Sequence, residues 1–476
     1  MRPLWTASRS DIRVETKIRA AGDDRPDADI VLPPTAAAFP CGGAGHWTRR
    51  GWLGGVAGGF GAGAMLGPIA DLLGNEPAVN GVRPGDPSRP RSVILLWLQG
   101  GASQLETFDP HPEAKHGGSV KAIETSVPGL RIADTLPRLA ERMRDLALVR
   151  SVIGNEGDHE RAIYQIQSGY RPDPTLIHPS VGAILCHQSD LGAEIPRHIS
   201  ILPLGRPGRG GYLGAKYDAF KVGDPSQPIP DVQHRMDEER FRRRIDDLLN
   251  VVEPRFARGR LIELERTRTL HAASTNAALT MMTSEQLSAF DVSDEPAAVR
   301  EGFGDTAQGR GCLAAVRLVE AGVRCVEVTF GGWDSHINNH SLQTSACQLL
   351  DPSAAALIDE LKKRDLWETT LVVVAGEFGR TPRINPAEGR DHWVHGFSIA
   401  LGGCGIRSGV VHGETAAERD ADDPAAGVSD PVGIADVHAT LLTALGIDPK
   451  IQLETPIRRP MRLSEGEPIG ALLADG

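Results

Sequence analysis

The segment Ser92–Leu98 is a nearly unbroken apolar run, closed by Gln99-Gly100-Gly101. A strand with one wet face alternates apolar and polar residues, whereas short continuous runs belong to strands covered on both faces, as in parallel sheets. Similar runs recur at 146–152, 199–204, 323–330, 370–375 and 397–401. Between them, 133–144 and 309–321 read as helices. Strand and helix in alternation predict an α/β fold: a doubly wound, mostly parallel sheet with helices on both faces. In such sheets, functional residues collect just past the C-terminal ends of the strands. Residues 237–290 break the pattern, being charged, Leu-rich and strand-poor, and read as a helical insertion. Residues 420–430, rich in Asp, Ala, Gly and Pro, read as an exposed loop.

Ahead of the first strand lies a different kind of segment. Thr48-Arg49-Arg50-Gly51-Trp52-Leu53 opens a stretch from Gly51 to Ala70 that carries no charge. Its many glycines make it a poor spanning helix, which needs about 20 strongly apolar residues. Paired arginines before a weakly apolar, Gly-rich stretch point instead to a twin-arginine export leader. The expected organisation is therefore an N-terminal extension and leader over 1–70, then one α/β domain over 71–476. The mature chain would carry no transmembrane anchor, would engage the twin-arginine machinery through its leader, and would act in the periplasm or cell envelope.

Composition narrows the function. The 476 residues carry 51 Lys and Arg against 62 Asp and Glu, a net charge of −11. An acidic chain without a long basic run is not built to bind nucleic acid. Six Cys occur with no CxxC pair, which argues against a Cys-based zinc site. Walker A, GxSxG, HExxH and GxGxxG patterns are all absent in the contexts where they carry chemistry.

What remains is a set of polar clusters at predicted strand ends. After the run ending at Phe330 comes Gly331-Gly332-Trp333-Asp334-Ser335-His336, with His340 beyond. A carboxylate and imidazoles so spaced can converge on one cation; equally, Asp334 can cap a helix. After Ala375 comes Gly376-Glu377-Phe378-Gly379-Arg380, an acid and a guanidinium that serve a cation and an anion, or each other. Ahead of Phe397 lies Gly389-Arg390-Asp391-His392-Trp393-Val394-His395, dense in imidazole and charge. Asp158-His159-Glu160 offers a ligand or acid–base group, with Asp158 a competing helix cap. Gln99-Gly100-Gly101, followed by Glu106 and Asp109, allows a close backbone approach or simply a tight turn.

In this order, LWLQGGASQLETFDP, GGWDSH, TLVVVAGEFGRTPRIN and GRDHWVHGFSIALGGCGIRSG resemble the domain of unknown function 1501 family. More distantly, they resemble the alkaline phosphatase and sulfatase superfamily. The resemblance implies an alkaline-phosphatase-like fold and a divalent metal such as zinc, manganese or calcium. It implies that Asp334, His336 and a later His, His392 or His395, bind one metal. For the other metal, the superfamily's Asp after the first strand is replaced by Gln99, and its Asp-His pair by Glu377-Phe378. Ser151 is the nearest hydroxyl upstream of the His159 segment, and no nucleophile or sulfatase maturation signature matches.

These readings converge on a metal-dependent hydrolase of phosphate or sulfate esters with one retained metal site. Asp334, His336, His392 and Glu377 are the expected ligands. Glu377 and His159 are the expected catalytic groups, and Arg380 and Arg390 the expected anchors for an anionic small molecule or sugar ester. The alternative is a non-catalytic binding or scaffold protein of the cell envelope on the same fold.

Overall fold

Alternate residues of a strand face opposite sides of its sheet, and in the first strand both sets are apolar and buried. The computed structural model describes residues 92–189, 193–229, 232, 236–248, 278–416 and 427–474. Its central sheet has nine strands: β1 (Ser92–Leu98), β2 (Leu146–Ile153), β3 (His198–Ile201), β4 (Phe220–Val222), β5 (Cys325–Phe330), β6 (Thr370–Ala375), β7 (Phe397–Gly403), β8 (Val411–His412) and β9 (Val432–Gly433). The spatial order is β8-β2-β7-β6-β1-β5-β3-β4, with β9 also paired to β2. Every pairing is parallel except those of β7, which runs antiparallel to β6 and β2.

Helices cover both faces. Those used below are α1 (His159–Ser168), α2 (Val181–Gln188), α3 (Glu238–Asp247), α4 (Ala307–Glu320), α5 (Asn339–Lys363) and α6 (Ile434–Ala444). Ile94, Leu96 and Leu98 share a core with Leu313 and Val316 of α4 and Leu350 and Leu357 of α5. Val93, Leu95 and Trp97 share the other core with Ile163 of α1, Ile184 of α2 and Leu441 of α6. Each such fully buried aliphatic side chain contributes roughly 1.5–3 kcal/mol. This two-sided burial is why the strands read as continuous apolar runs.

The α/β architecture agrees with the sequence, and some elements differ in extent. The expected helix over 133–144 is a strand end, Arg131–Ala133, then an α-helical turn at Pro137–Ala140 and a 3₁₀ turn at Met143–Asp145. Proline suits the first helical turn and breaks a helix interior, so the helix begins at Pro137 rather than before it. The expected strand 199–204 stops at Ile201 because Leu202 takes a left-handed conformation, φ 55°. Within the expected insertion, α3 is present, capped by Asp237 accepting from Arg240 N, and a 3₁₀ segment spans Glu285–Phe290. The intervening 249–277 and the proposed leader over 1–70 lie outside the described residues. Among the described residues no helix is long and apolar enough to cross a membrane.

Candidate metal centre

The ends of parallel strands deliver four of the sequence clusters to one edge. Past β1 the chain turns through Gly100 and Gly101, at φ 119° and 84°. A Cβ on Gly100 would run into the backbone of Asp334. Past β2 come Gly157 and Asp158; the Asp158 side chain caps α1 by accepting from Arg161 N, and His159 is the first helical residue. Past β5 come Asp334 and His336, and past β6 Glu377 and Phe378. The fifth cluster precedes a strand rather than following one, yet it reaches the same edge. Because β7 is antiparallel, its start lies where the other strands end, and a two-residue ladder pairs His392 with Arg380.

Asp334 is the hub. Its Oδ1 lies 3.1 Å from His336 Nε2, 3.4 Å from His392 Nε2 and 2.6 Å from Arg380 Nη2, and its Oδ2 lies 3.4 Å from His159 Nε2. The Nε2 atoms of His336 and His392 are 3.0 Å apart. Each imidazole is held from behind through Nδ1. His159 Nδ1 donates to Glu377 Oε1 at 2.8 Å, His336 Nδ1 to Asp391 Oδ1 at 2.8 Å, and His392 Nδ1 to the carbonyl of Gly157 at 2.8 Å. An imidazole that donates at Nδ1 keeps a lone pair at Nε2 when neutral. Ligand atoms of His159, Asp334 and His392 thus lie within 4.8 Å of one another, and His336 Nε2 lies against Asp334 and His392. Ligating histidines are held in this way, with the far nitrogen on a carboxylate or carbonyl.

The surroundings hold this arrangement. Gln343 of α5 donates to Trp333 O and Ser335 Oγ and accepts from Ser103 N, pinning the turn that carries Asp334 and His336. Asn385 donates to His336 O and to Asp391. Phe378, buried, stands beside the rings of His392 and His159, with centroids 4.3 and 5.0 Å away. Burial alone would raise the Asp334 carboxyl, but the Arg380 guanidinium and the imidazoles outweigh it and hold it below its ordinary value. Burial, reinforced by Arg380 and the other two imidazoles, lowers His392 below its ordinary value. The Glu377 hydrogen bond raises His159. Three carboxylates, Asp334, Glu377 and Asp391, meet one guanidinium, Arg380, so the field favours a cation.

The other expected site residues take distinct places. Glu377 stands behind His159; its Oε1 also accepts from Gly100 N at 2.9 Å, while its buried Oε2 has no hydrogen-bond partner. Gln99, on the neighbouring strand end, likewise has a buried, unpartnered Oε1. Arg380 is fully buried, bonded to Asp334 and to the carbonyls of Gly100, Gly101 and Arg390. It and Glu377 thus serve different partners rather than forming a mutual salt bridge. Arg390 is also fully buried, and its donors go to Glu106 and to the carbonyls of Thr381, Pro382 and His116. His340 lies exposed in the first turn of α5, lining a separate surface pocket. Ser151 lies within β2, its hydroxyl donated to Asp430 O. Asp391 was within a recognised cluster, and its adjacency to His392 was the available signal; the Gly157 carbonyl left none, since backbone atoms carry no sequence identity.

Two other groups among the described residues bring His and acids together. Asp109, His111 and Glu414 do so beside Arg150, in a cavity of about 890 Å³. His198, Cys325 and Glu327 do so within the sheet, fully buried. In the first, Arg150 already neutralises Asp109; in the second, His198 and Glu327 bind each other.

No curated protein matches the sequence significantly. Among solved structures, the chain is similar to the lipoteichoic acid synthase LtaP of Listeria monocytogenes, at 10% identity over 76% of this chain and 73% of that one, TM-score 0.34. It is similar to the C-terminal periplasmic domain of EcEptC from Escherichia coli in complex with Zn, at 12% identity over 82% and 96%, TM-score 0.35. It is also similar to a protein in the alkaline phosphatase superfamily from Vibrio parahaemolyticus, at 12% identity over 75% and 67%, TM-score 0.30. The family model described as "Protein of unknown function (DUF1501)" matches residues 90–473, from just before β1 to the end of the described residues, and the chain belongs to that family.

Proposed function

We propose that the protein is a metal-dependent hydrolase of phosphate or sulfate esters, with one divalent cation held by Asp334, His336, His392 and His159. One observation carries this reading. The Nε2 atoms of His336 and His392 face each other at 3.0 Å with both Nδ1 protons spent elsewhere. Two ring nitrogens at that separation share either a proton or a cation between them, and the adjoining carboxylate of Asp334 favours the cation. Zinc suits three imidazoles and a carboxylate, and manganese is the next candidate by ligand type; calcium, a metal of all-oxygen sites, fits less well.

A cation there would supply Lewis-acid charge to an ester oxygen and lower the pKa of water. The chain's own residues do the rest. Asp391, Glu377 and the Gly157 carbonyl orient the three imidazoles. Arg380 holds Asp334 in place and, being buried, adds positive field at the site rather than a flexible anchor. Glu377, with one oxygen on His159 and Gly100 N and the other unpartnered, would fix the His159 ring and place negative charge behind it. Arg390 supports the loop through Glu106. A second reading, a binding protein without catalysis, is favoured by Ser151, whose hydroxyl is engaged by Asp430 O inside a strand and offers no nucleophile. We further propose export by the twin-arginine route, on the strength of Arg49-Arg50 and the uncharged segment behind them.

Elemental mass spectrometry of the purified chain tests the centre, beside an Asp334→Ala plus His336→Ala control. About one zinc or manganese per chain, lost in the control, supports it. Turnover of aryl phosphate or sulfate esters by the loaded chain separates hydrolase from binding protein. An equally metal-free wild type and control would sink the proposal.

A further inference from the structure

Helix α1 starts at the metal centre with His159, and its next turns line a cleft. Ile163 and Gln167 follow His159 at helical spacing on one face, roughly 6 and 12 Å further along the axis. Both line a cavity of about 200 Å³ closed by the segments 172–180 and 206–209.

The polar groups of this cleft are of both kinds. His178 is 5% exposed and part of the lining. The Tyr164 hydroxyl accepts from His178 N at 2.7 Å and so donates to His178 Nδ1, 2.8 Å away. That leaves the proton on Nε2, which is buried and has no partner. Tyr170 stacks parallel on the same ring, centroids 4.0 Å apart, and keeps it from turning. Arg209 lines the cleft with no hydrogen-bond or ion-pair partner for its guanidinium among the described residues. Acceptors stand beside these donors. Asp173 has one oxygen held by Thr175, and Glu160 pairs with Arg206 across the exposed mouth.

Donors and acceptors balance here, with two guanidinium and two carboxylate groups. An anion would meet Asp173 and Glu160, and an apolar group would leave His178 unsatisfied, a cost of about 1–3 kcal/mol. A hydroxyl both donates and accepts, so a ring bearing several hydroxyls satisfies both sets while its C–H faces lie on Ile163 and Ile177. The volume is about seven times the ~30 Å³ share of one liquid water, and below the ~300 Å³ of drug-sized pockets.

We propose that this cleft is a sugar subsite, seating one hydroxylated ring of a molecule whose ester group reaches the metal centre. The link to ester chemistry rests on the proposed hydrolase reading; the ring binding itself does not. The test is isothermal titration calorimetry with the methyl glycosides of glucose, galactose, mannose, fucose and N-acetylglucosamine. Three samples are compared: the full zinc-treated chain, an Asp334→Ala plus His392→Ala variant, and Arg209→Ala. At least one glycoside is expected to bind the first two equally and to bind Arg209→Ala roughly tenfold or more weaker. A His178→Phe variant, which keeps the ring stack and removes the donor, is expected to weaken it likewise, with thermal melts reporting its folding. Binding by none of the five glycosides overturns the proposal. So does binding that survives in Arg209→Ala, or binding that disappears with the metal ligands and places the ring at the metal instead. If zinc fails to bind while a glycoside binds all but the cleft variants, the hydrolase reading falls and the sugar subsite stands.

Discussion

Two histidine–carboxylate clusters in this molecule use the same residue types to opposite ends. In the sheet, His198 of β3 and Glu327 of β5 are 3% and 4% exposed. His198 Nδ1 donates to Tyr217 O at 3.0 Å and its Nε2 meets Glu327 Oε1 at 3.1 Å, while Gly208 N donates to both Glu327 oxygens. Every partner is a buried protein atom, one imidazole meets one carboxylate, and the cluster is closed. At the strand edge, three imidazoles are held from behind through Nδ1 and turn their Nε2 atoms to a single half-exposed carboxylate, Asp334. The first cluster is sealed; the second is the one proposed to take a cation. What separates them is the number of imidazoles per carboxylate and the access of solvent, neither of which residue identity reveals.

The contrast breaks most visibly in stability. Glu327→Ala leaves His198 buried without its partner and is expected to cost about 3–5 kcal/mol, read by urea denaturation, with metal content unchanged. Equal stability in that variant would mean the pair is not the closed unit described. At the edge the expected sign reverses, because the proposed cation would stabilise the cluster. Zinc at about a hundredfold its dissociation constant is expected to add ~2.7 kcal/mol to unfolding. A chelator should reverse the gain, and Asp334→Ala plus His392→Ala should show none.

A smaller effect sharpens the role of the residues behind the ligands. Asp391→Asn keeps the shape around His336 but weakens the hold on its Nδ1 proton. The expected loss is about 10–100-fold in metal affinity, with metal-free stability nearly unchanged, as competitive titration would show. If metal-free stability fell instead, Asp391 would be a structural residue only.

A third way of housing histidine gives the smallest effect near neutral pH. His438 of α6 is buried with neither ring nitrogen hydrogen-bonded, and burial pushes it down to about 4 from 6.5. Unfolding therefore takes up a proton between those values, so this contribution is intact above pH 6.5 and is lost as pH falls toward 4. The expected slope is up to ~1.4 kcal/mol per pH unit, or about 1 kcal/mol at pH 5.5. His438→Phe should flatten that part of the stability profile.

The strands were legible because burial on both faces removes polar residues from them, as in Thr370–Ala375. The helix Asn339–Lys363 was not, since Pro352 lies inside it and its early turns carry His, Ser, Gln and Thr. Of the centre, Asp334, His336, His392 and His159 were all visible as strand-end polar residues. The convergence of Asp334, His336 and His392 on one metal was expected from the family resemblance and not from the residue pattern, because it depends on β7 running against its neighbours and bringing His392 to the edge where the other strands finish. Arg380 and Arg390 show the same limit. Both read as candidate anion anchors, and both are buried with carboxylate and carbonyl partners.

The sequence by itself determined the α/β class, the two-faced core and the short list of groups able to do chemistry. These follow from periodicity and side-chain type, which are local properties. Tertiary structure alone decided which imidazoles gather on Asp334, those of His159, His336 and His392, and which polar groups are paired internally, Arg390 with Glu106 and His198 with Glu327. Hydrogen-bond saturation is a property of neighbours in space, and strands β1, β2, β5, β6 and β7 bring those neighbours together from positions hundreds of residues apart.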